Sequence, residues 1–253
     1  MDKQQEIQRF QHLTFESFKE LAKDDALTPY QKIGFPNSYR QGIEPIILED
    51  IIAKMPILRN SAQKILDIGP GCSDLIQLFI TFCEQQQHDL TLIDSVEMLN
   101  LLPDCTFITK CAGHFPSDFS DFLAQHSGQF NAIISYSVMH YVFSEGNLYN
   151  FIDKALGLLA EGGMLLLGDL PNHSKRQRFF ATPTGVRYHQ AYTQSDTLPE
   201  VTHYEIPEDK MDDGILFGIL QRYRLAGFET YLLPQPANLP MSNRREDILI
   251  VKT

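Results

Sequence analysis

The sequence predicts an α/β fold organised around a doubly wound, mostly parallel sheet. Three features carry that expectation. From Lys64 onward, short apolar runs of strand length alternate with longer segments of helical period. The first run ends in a glycine turn, Lys64–Leu75 (KILDIGPGCSDL), that leads straight into a helix start. The first and second runs each place an acid at or near their ends, Asp67 and Asp94. In a doubly wound sheet, an acid at the tip of the second strand is placed to reach ribose hydroxyls.

Residues 1–60 precede the first strand and form an expected helical cap. Ile7, Phe10, Leu13, Phe15, Phe18 and Leu21 recur every two to three residues, as on one face of a helix. The next stretch, TPYQKIGFPNSYRQGIEP, carries too many aromatics for disorder and reads as an ordered loop. Glu44–Lys54 reads as a helix with Pro45 in its first turn. Such a cap either covers a ligand or only packs on the sheet. Tyr30, Tyr39 and Arg40 are its candidate site residues.

The domain proper is expected over 61–253. Strand one is Lys64–Ile68, and a helix follows from Asp74 to about Gln86, with Ser73 as N-cap and Asp74 suiting the first turn. Strand two is Leu90–Ile93, with a short helix around Val96–Leu101. Strand three is expected at Cys105–Thr109, leaving Lys110–Pro116 (KCAGHFP) as a loop. A helix over Ser117–Ser127 leads to strand four, Phe130–Ser135. A helix from Glu145 to Ala160 should stop at Glu161-Gly162-Gly163, before strand five at Met164–Leu170. An insertion at about 170–212 then breaks the pattern, with prolines and aromatics but no clear period; that length points to a lid. A helix over Asp213–Ala226 and two runs, Phe228–Leu233 and Asp247–Lys252, close the chain.

Bulk properties exclude some functions. The 253 residues are enough to bury a full core. A formal net charge of −11 opposes binding to nucleic acid, which phosphate neutralisation drives. The N-terminus, MDKQQEIQRF, is polar and unlike a signal peptide. No apolar run approaches the roughly 18 residues of a membrane span. A cytoplasmic protein with no membrane partner is expected. The four cysteines (Cys72, Cys83, Cys105, Cys111) lack C-x-x-C spacing, so neither a metal nor a redox site is expected.

The glycine turn resembles the first motif of the class I S-adenosylmethionine-dependent methyltransferases, an apolar strand, an acid and Gly-x-Gly-x-Gly. Asp67, Gly69 and Gly71 match, and Ser73 stands where the third glycine would be. The dinucleotide fingerprint G-x-G-x-x-G fits less well, because Asp74 stands where its third glycine belongs and would repel a pyrophosphate. The resemblance implies a Rossmann-like sheet of seven strands with the last antiparallel, an N-terminal cap and a lid after strand five. It implies S-adenosylmethionine as cofactor, held by Asp67, Gly69, Pro70, Gly71, Asp94, Ser95, Cys111, Ala112 and Ser135. Cys111 takes a place where relatives often have an acid for the adenine amino group. The chain looks most like stand-alone small-molecule enzymes of bacterial surface-polysaccharide pathways, including capsule modification.

For the acceptor, His140 is the candidate base, since an imidazole is suited to neutral pH and lies just past strand four. The alternative is a histidine that bonds the backbone or packs against adenine. His114, His173, His189 and His203 are weaker candidates. Within the insertion, Lys175, Arg176, Arg178 and Arg187 fall in a stretch without an acid, and Tyr188 and His189 adjoin it. Such a run is either a solvated face, an RNA contact, or a site for an anionic acceptor, as arginine pairs bind phosphate and carboxylate. The expected activity is O-methylation of a small anionic acceptor, a sugar hydroxyl or phosphate-type oxygen. The alternatives are a catalytically inactive cofactor-binding partner protein, or an RNA or protein methyltransferase. The Asn/Asp-Pro-Pro-Tyr/Phe signature of base-amino methylation is absent, since Ser135-Tyr136-Ser137-Val138 follows strand four.

Overall fold

The computed structural model describes residues 13–202 and 210–253. Ile7, Phe10 and His203 lie outside the described residues.

Seven strands form one sheet: β1 (Lys64–Ile68), β2 (Asp89–Asp94), β3 (Ile108–Ala112), β4 (Phe130–Tyr136), β5 (Leu159–Pro171), β6 (Glu229–Pro234) and β7 (Arg245–Val251). Their order is β3-β2-β1-β4-β5-β7-β6. The first five are parallel, and β7 runs antiparallel between β5 and β6. The order reverses between β1 and β4, so a crevice opens at their carboxyl ends, the usual ligand position in such sheets.

Two apolar layers sandwich the sheet. On one side α4 (Glu44–Lys54) and α5 (Asp74–Gln85) pack through Ile47, Ile51, Ile76 and Phe79 against Ile65, Ala132 and Ile134. On the other, α9 (Leu148–Leu158) and α12 (Asp213–Leu225) pack through Phe151, Ile152, Leu216 and Ile219 against Leu66, Ile133 and Leu165. Adjacent strand residues alternate between the layers, as the two-residue period of a strand requires.

The segment before the sheet is helical in short pieces: α1 (Phe15–Lys23), α2 (Pro29–Lys32), α3 (Asn37–Arg40) and α4. Thr14 and Thr28 each close a capping box at the start of α1 and α2, so the stretch expected as a loop holds two single-turn helices.

Four element boundaries differ from expectation. Strand three begins three residues later, at Ile108, because Cys105 closes a turn onto Ile108 N and Ile108–Ala112 aligns with Leu90–Asp94. The helix expected over Glu145–Ala160 is the shorter α9, and an unexpected helix, α8 (Met139–Glu145), precedes it across Gly146. Gly162 and Gly163 do not end a helix; α9 stops at Leu158, and the glycines sit where the β4–β5 register slips. The insertion is ordered as α10 (His173–Phe180) and α11 (Pro183–Thr193), started by the caps Asn172 and Thr182, the latter followed by Pro183. The remaining short helices are α6 (Val96–Leu99) and α7 (Ser120–Gln125).

Among the described residues no helix is long and apolar enough to cross a membrane.

Candidate active site

A cavity of about 340 Å³ opens at the carboxyl ends of β1, β2 and β4. Its floor is the glycine turn. Gly69 and Gly71 have φ of +77° and +64°, which side chains resist. A Cβ on Gly69 would stand 2.5 Å from Val138 Cγ2, and one on Gly71 would stand 2.6 Å from Ile33 Cγ2. The glycines thus let the backbone turn under the cap and under α8.

Asp94 is fixed by the backbone around it. Its Oδ1 accepts from Ser95 N at 2.7 Å and its Oδ2 from Gly71 N at 3.1 Å. Each oxygen keeps a lone pair for a further donor. Asp67 lines the same cavity and accepts no hydrogen bond among the described residues. Burial, and then the Asp94 charge, pushes Asp67 up to about 8. Burial also raises Asp94, to about 6, against the pull of the Ser95 and Gly71 amides. Two buried acids therefore face this space with no cation beside them.

The other wall comes from the cap and from the loop after β3. Gly113, His114, Phe115, Pro116 and Ser117 line the cavity, and Gly113 N is tied to Asp94 O at 3.0 Å. Phe15 of α1 stacks on His114, centroids 4.6 Å apart. Tyr30 donates to Asp74 Oδ2 at 2.6 Å and pins the cap to the first turn of α5. Ser73 holds the cap position of α5, but its hydroxyl makes no capping bond.

At the ends of β4 and β5 lies a second polar centre. Ser137 and Asp169 both have left-handed backbones, φ 62° and 56°. Such conformations cost about 1–3 kcal/mol in a residue other than glycine and cluster at functional sites. Asp169 sits where the β5–β7 register slips. Its Oδ2 accepts from Arg40 Nη2 at 2.8 Å and from Ser137 Oγ at 2.6 Å, while Arg40 Nη2 also donates to Ser137 Oγ. Gln235 Nε2 reaches Asp169 Oδ1 at 3.3 Å, and Arg245 donates to its carbonyl at 3.0 Å. Burial raises the Asp169 carboxyl, but the Arg245 and Arg40 guanidiniums and these hydrogen bonds outweigh it and hold it below the usual carboxylate range.

No protein-family profile matches the sequence, and no curated protein does either. Solved structures do match. The plantazolicin methyltransferase BpumL in complex with SAH (S-adenosylhomocysteine) superposes at TM-score 0.58 with 15% identity, covering 99% of this chain and 98% of that one. A SAM-dependent methyltransferase from Aquifex aeolicus gives TM-score 0.53, 11% identity, and coverage of 95% and 100%. The Burkholderia thailandensis 1,6-didemethyltoxoflavin-N1-methyltransferase gives 0.51, 12%, and coverage of 95% and 91%. The chain has the fold of the class I methyltransferases. At such identities the likeness is one of fold.

Within that methyltransferase fold the residues singled out from sequence fall into two groups. Asp67, Gly69, Pro70, Gly71, Asp94 and Arg40 line the cavity together. The others stand away from its wall. Ser95 caps α6 through Met98 N at 3.2 Å and steadies Asp94. Ser135 ties β4 to β1 through Ile68 O at 3.1 Å. Cys111 and Ala112, expected in a loop, are strand residues of β3 paired with Ile93 and Asp94. The loop after β3 starts only at Gly113, and neither of the two is part of the cavity lining.

His140 is likewise off the cavity wall. It packs beside Tyr141 at 3.8 Å, and its Nδ1 is buried without a partner. Burial above all, then the Arg245 charge, pushes it down to about 3, which leaves a neutral ring of very low basicity.

The basic run does not form a pocket. Arg178 pairs with Asp213, Lys175 donates to Arg245 O at 2.9 Å, and Arg187 donates to Thr184 at 3.1 Å in solvent. Arg176 lies 4.9 Å over the Phe180 ring, and Tyr188 and His189 pack on that same ring. Tyr39 meets the insertion rather than the cavity, its hydroxyl 2.9 Å from that of Tyr192. Sequence reasoning missed Ser137, Asp169 and Phe35, whereas His114–Pro116 of the loop marked out in the sequence do line the cavity. The signal for Asp169 was present, an acid closing the apolar run LLLGD.

Proposed function

We propose that this protein transfers a methyl group from S-adenosylmethionine to an ionised oxygen of a small anionic acceptor. One observation carries the reading: two buried acids without counter-cations, Asp67 and Asp94, flank a glycine turn in a cavity covered by the cap. That donor set fits a ligand with hydroxyls at one end and positive charge at the other. It does not suit a pyrophosphate, which the acid at Asp74 would repel. Asp94 would accept from ribose hydroxyls, Asp67 would face the cationic end, and the Gly113–Ser117 loop with Phe15 would enclose the base. When bound, the cofactor supplies a methyl group on a positively charged sulfur.

The chain's own task is then alignment and exclusion of water. The expected base is not on this wall. His140 stands off it with a pKa near 3, and burial pushes the lining Tyr141 up to about 12. An oxygen that is already ionised at neutral pH needs no base, which favours the anionic acceptor.

Calorimetric titration with S-adenosylhomocysteine, with NAD as control, tests the reading. Micromolar binding of the first and none of the second is expected. Absence of S-adenosylhomocysteine binding removes the proposal. Binding without turnover on any acidic acceptor would leave a cofactor-binding partner protein in its place.

A further inference from the structure

Arg40 narrows the acceptor, given the methyl-transfer reading of the same cavity. Its side chain is buried, at 6% exposure, yet lines the cavity wall. Only Nη2 is taken up, by Asp169 and Ser137. Nε and Nη1 carry further N–H donors that have no partner among the described residues. The guanidinium lies 4.1 Å from the Phe35 ring centroid and 5.7 Å from that of Tyr136, so its charge lies over two aromatic rings. Ile33, Leu48 and Ile51 continue the wall around it.

Buried donors on a charged group call for an acceptor. With Nη2 taken, the donors on Nε and Nη1 lie on separate edges of the plane, and each offers a single charge-assisted N–H bond to an acidic oxygen. The Phe35 and Tyr136 rings beside the guanidinium favour an acceptor with an apolar body. Position separates this centre from the cofactor turn. Asp169 ends β5, two strands along from β1, about 10 Å at normal strand spacing.

We propose that Arg40 recognises the acceptor, and that the acceptor is a planar, largely apolar molecule bearing a carboxylate or comparably acidic oxygen, rather than a phosphorylated sugar. Asp169 and Ser137 position the guanidinium by holding Nη2, which leaves the Nε and Nη1 donors for the ligand. The acceptor oxygen gives a lone pair to the new carbon–oxygen bond as the carbon–sulfur bond breaks, the sulfur leaves neutral, and no proton moves.

The test uses full-length protein saturated with S-adenosylhomocysteine and titrated with 2-naphthoate, 2-naphthamide and glucose 1-phosphate. Wild type should bind 2-naphthoate at least about tenfold more tightly than either other probe. Equal affinity for naphthoate and naphthamide overturns the proposal without any variant. Arg40→Lys keeps a cation beside Asp169 but loses the Nε and Nη1 donors. It should weaken 2-naphthoate binding about tenfold or more and leave S-adenosylhomocysteine affinity within about twofold. If Arg40→Lys instead weakens S-adenosylhomocysteine but not 5′-methylthioadenosine, which lacks the amino-acid end, Arg40 belongs to the cofactor's carboxylate and the proposal fails. Loss of S-adenosylhomocysteine binding in wild type would overturn the methyl-transfer reading itself, a distinct result.

Discussion

Asp67 and Asp169 are buried to the same degree, at 7% and 6% exposure, and stand at the carboxyl ends of two strands of one sheet. Their carboxyls move in opposite directions. Asp67 has an acid for its charged neighbour and rises to about 8, whereas Asp169 has two guanidiniums and falls below its ordinary value. Desolvation is the largest influence on both, so the partner decides the sign. The difference separates two uses of a buried acid. Asp169 is already compensated and holds other groups in place. Asp67 has no compensating cation among the described residues, which is what the proposed cationic ligand would supply.

The comparison makes its largest prediction for Asp169→Ala. That substitution leaves the Arg40 guanidinium buried without its counter-ion, and loss of about 3–5 kcal/mol of stability is expected by denaturant titration. Asp67→Asn should do the reverse: it removes an unpaired charge, so ligand-free stability should hold or rise while S-adenosylhomocysteine binding weakens. Equal destabilisation by the two substitutions would break the distinction. Asp94→Ala comes next. It removes the acceptor for two proposed ribose hydroxyls and should cost about 100-fold in S-adenosylhomocysteine affinity, or ~2.7 kcal/mol, with the fold intact. Unchanged affinity by calorimetry would take Asp94 out of the site.

The Asp67 side of this comparison was legible in the sequence and the Asp169 side was not. A strand, an acid and two glycines are contiguous, and the turn chemistry of Gly69 and Gly71 is local. The parallel sheet followed from alternation, and the antiparallel last strand from the resemblance alone. Asp169 reads in sequence as the end of an apolar run. Its partners are Arg40, Ser137, Gln235 and Arg245, separated from it by up to 129 residues, and only the closed sheet assembles them. The insertion failed for another reason. Its amphipathic period is weak, but the capping residue Asn172 and the Thr182-Pro183 pair were helix starts in plain view. The strand-three shift came from reading Cys105–Phe107 as strand, although five register pairs with β2 favour Ile108–Ala112.

A pH titration sharpens the same contrast at intermediate size. Both Asp67 and Asp94 have folded values above those of an unfolded chain, so the folded state binds more protons between about pH 4 and 8. Stability contributed by this pair is therefore greatest at the acid end and falls as pH rises to 8. Asp169 has the opposite sign: its contribution is present above its unfolded pKa and is lost as pH falls through its lower folded value. Melting temperature of the ligand-free protein should decline from pH 5 to 8, and Asp67→Asn should flatten that decline. S-adenosylhomocysteine affinity should rise over the same range, because its ammonium favours the ionised acids. An affinity independent of pH would mean that Asp67 does not face the cationic end.

The smallest effect is expected where the sequence drew most attention to charge. Arg178 holds Asp213 with its side chain 58% exposed, and such surface pairs contribute about 0–1 kcal/mol. Arg176 lies on Phe180 and is not part of the cavity lining, where Arg40 is the cation present among the described residues. The double variant Arg176→Ala, Arg178→Ala should therefore change 2-naphthoate and S-adenosylhomocysteine affinities by less than about threefold, well short of Arg40→Lys. A tenfold loss of 2-naphthoate binding in the double variant alone would move the acceptor's anion onto α10. The insertion would then be a binding surface, and Arg40, although buried with unused donors, would be a structural partner of Asp169 only.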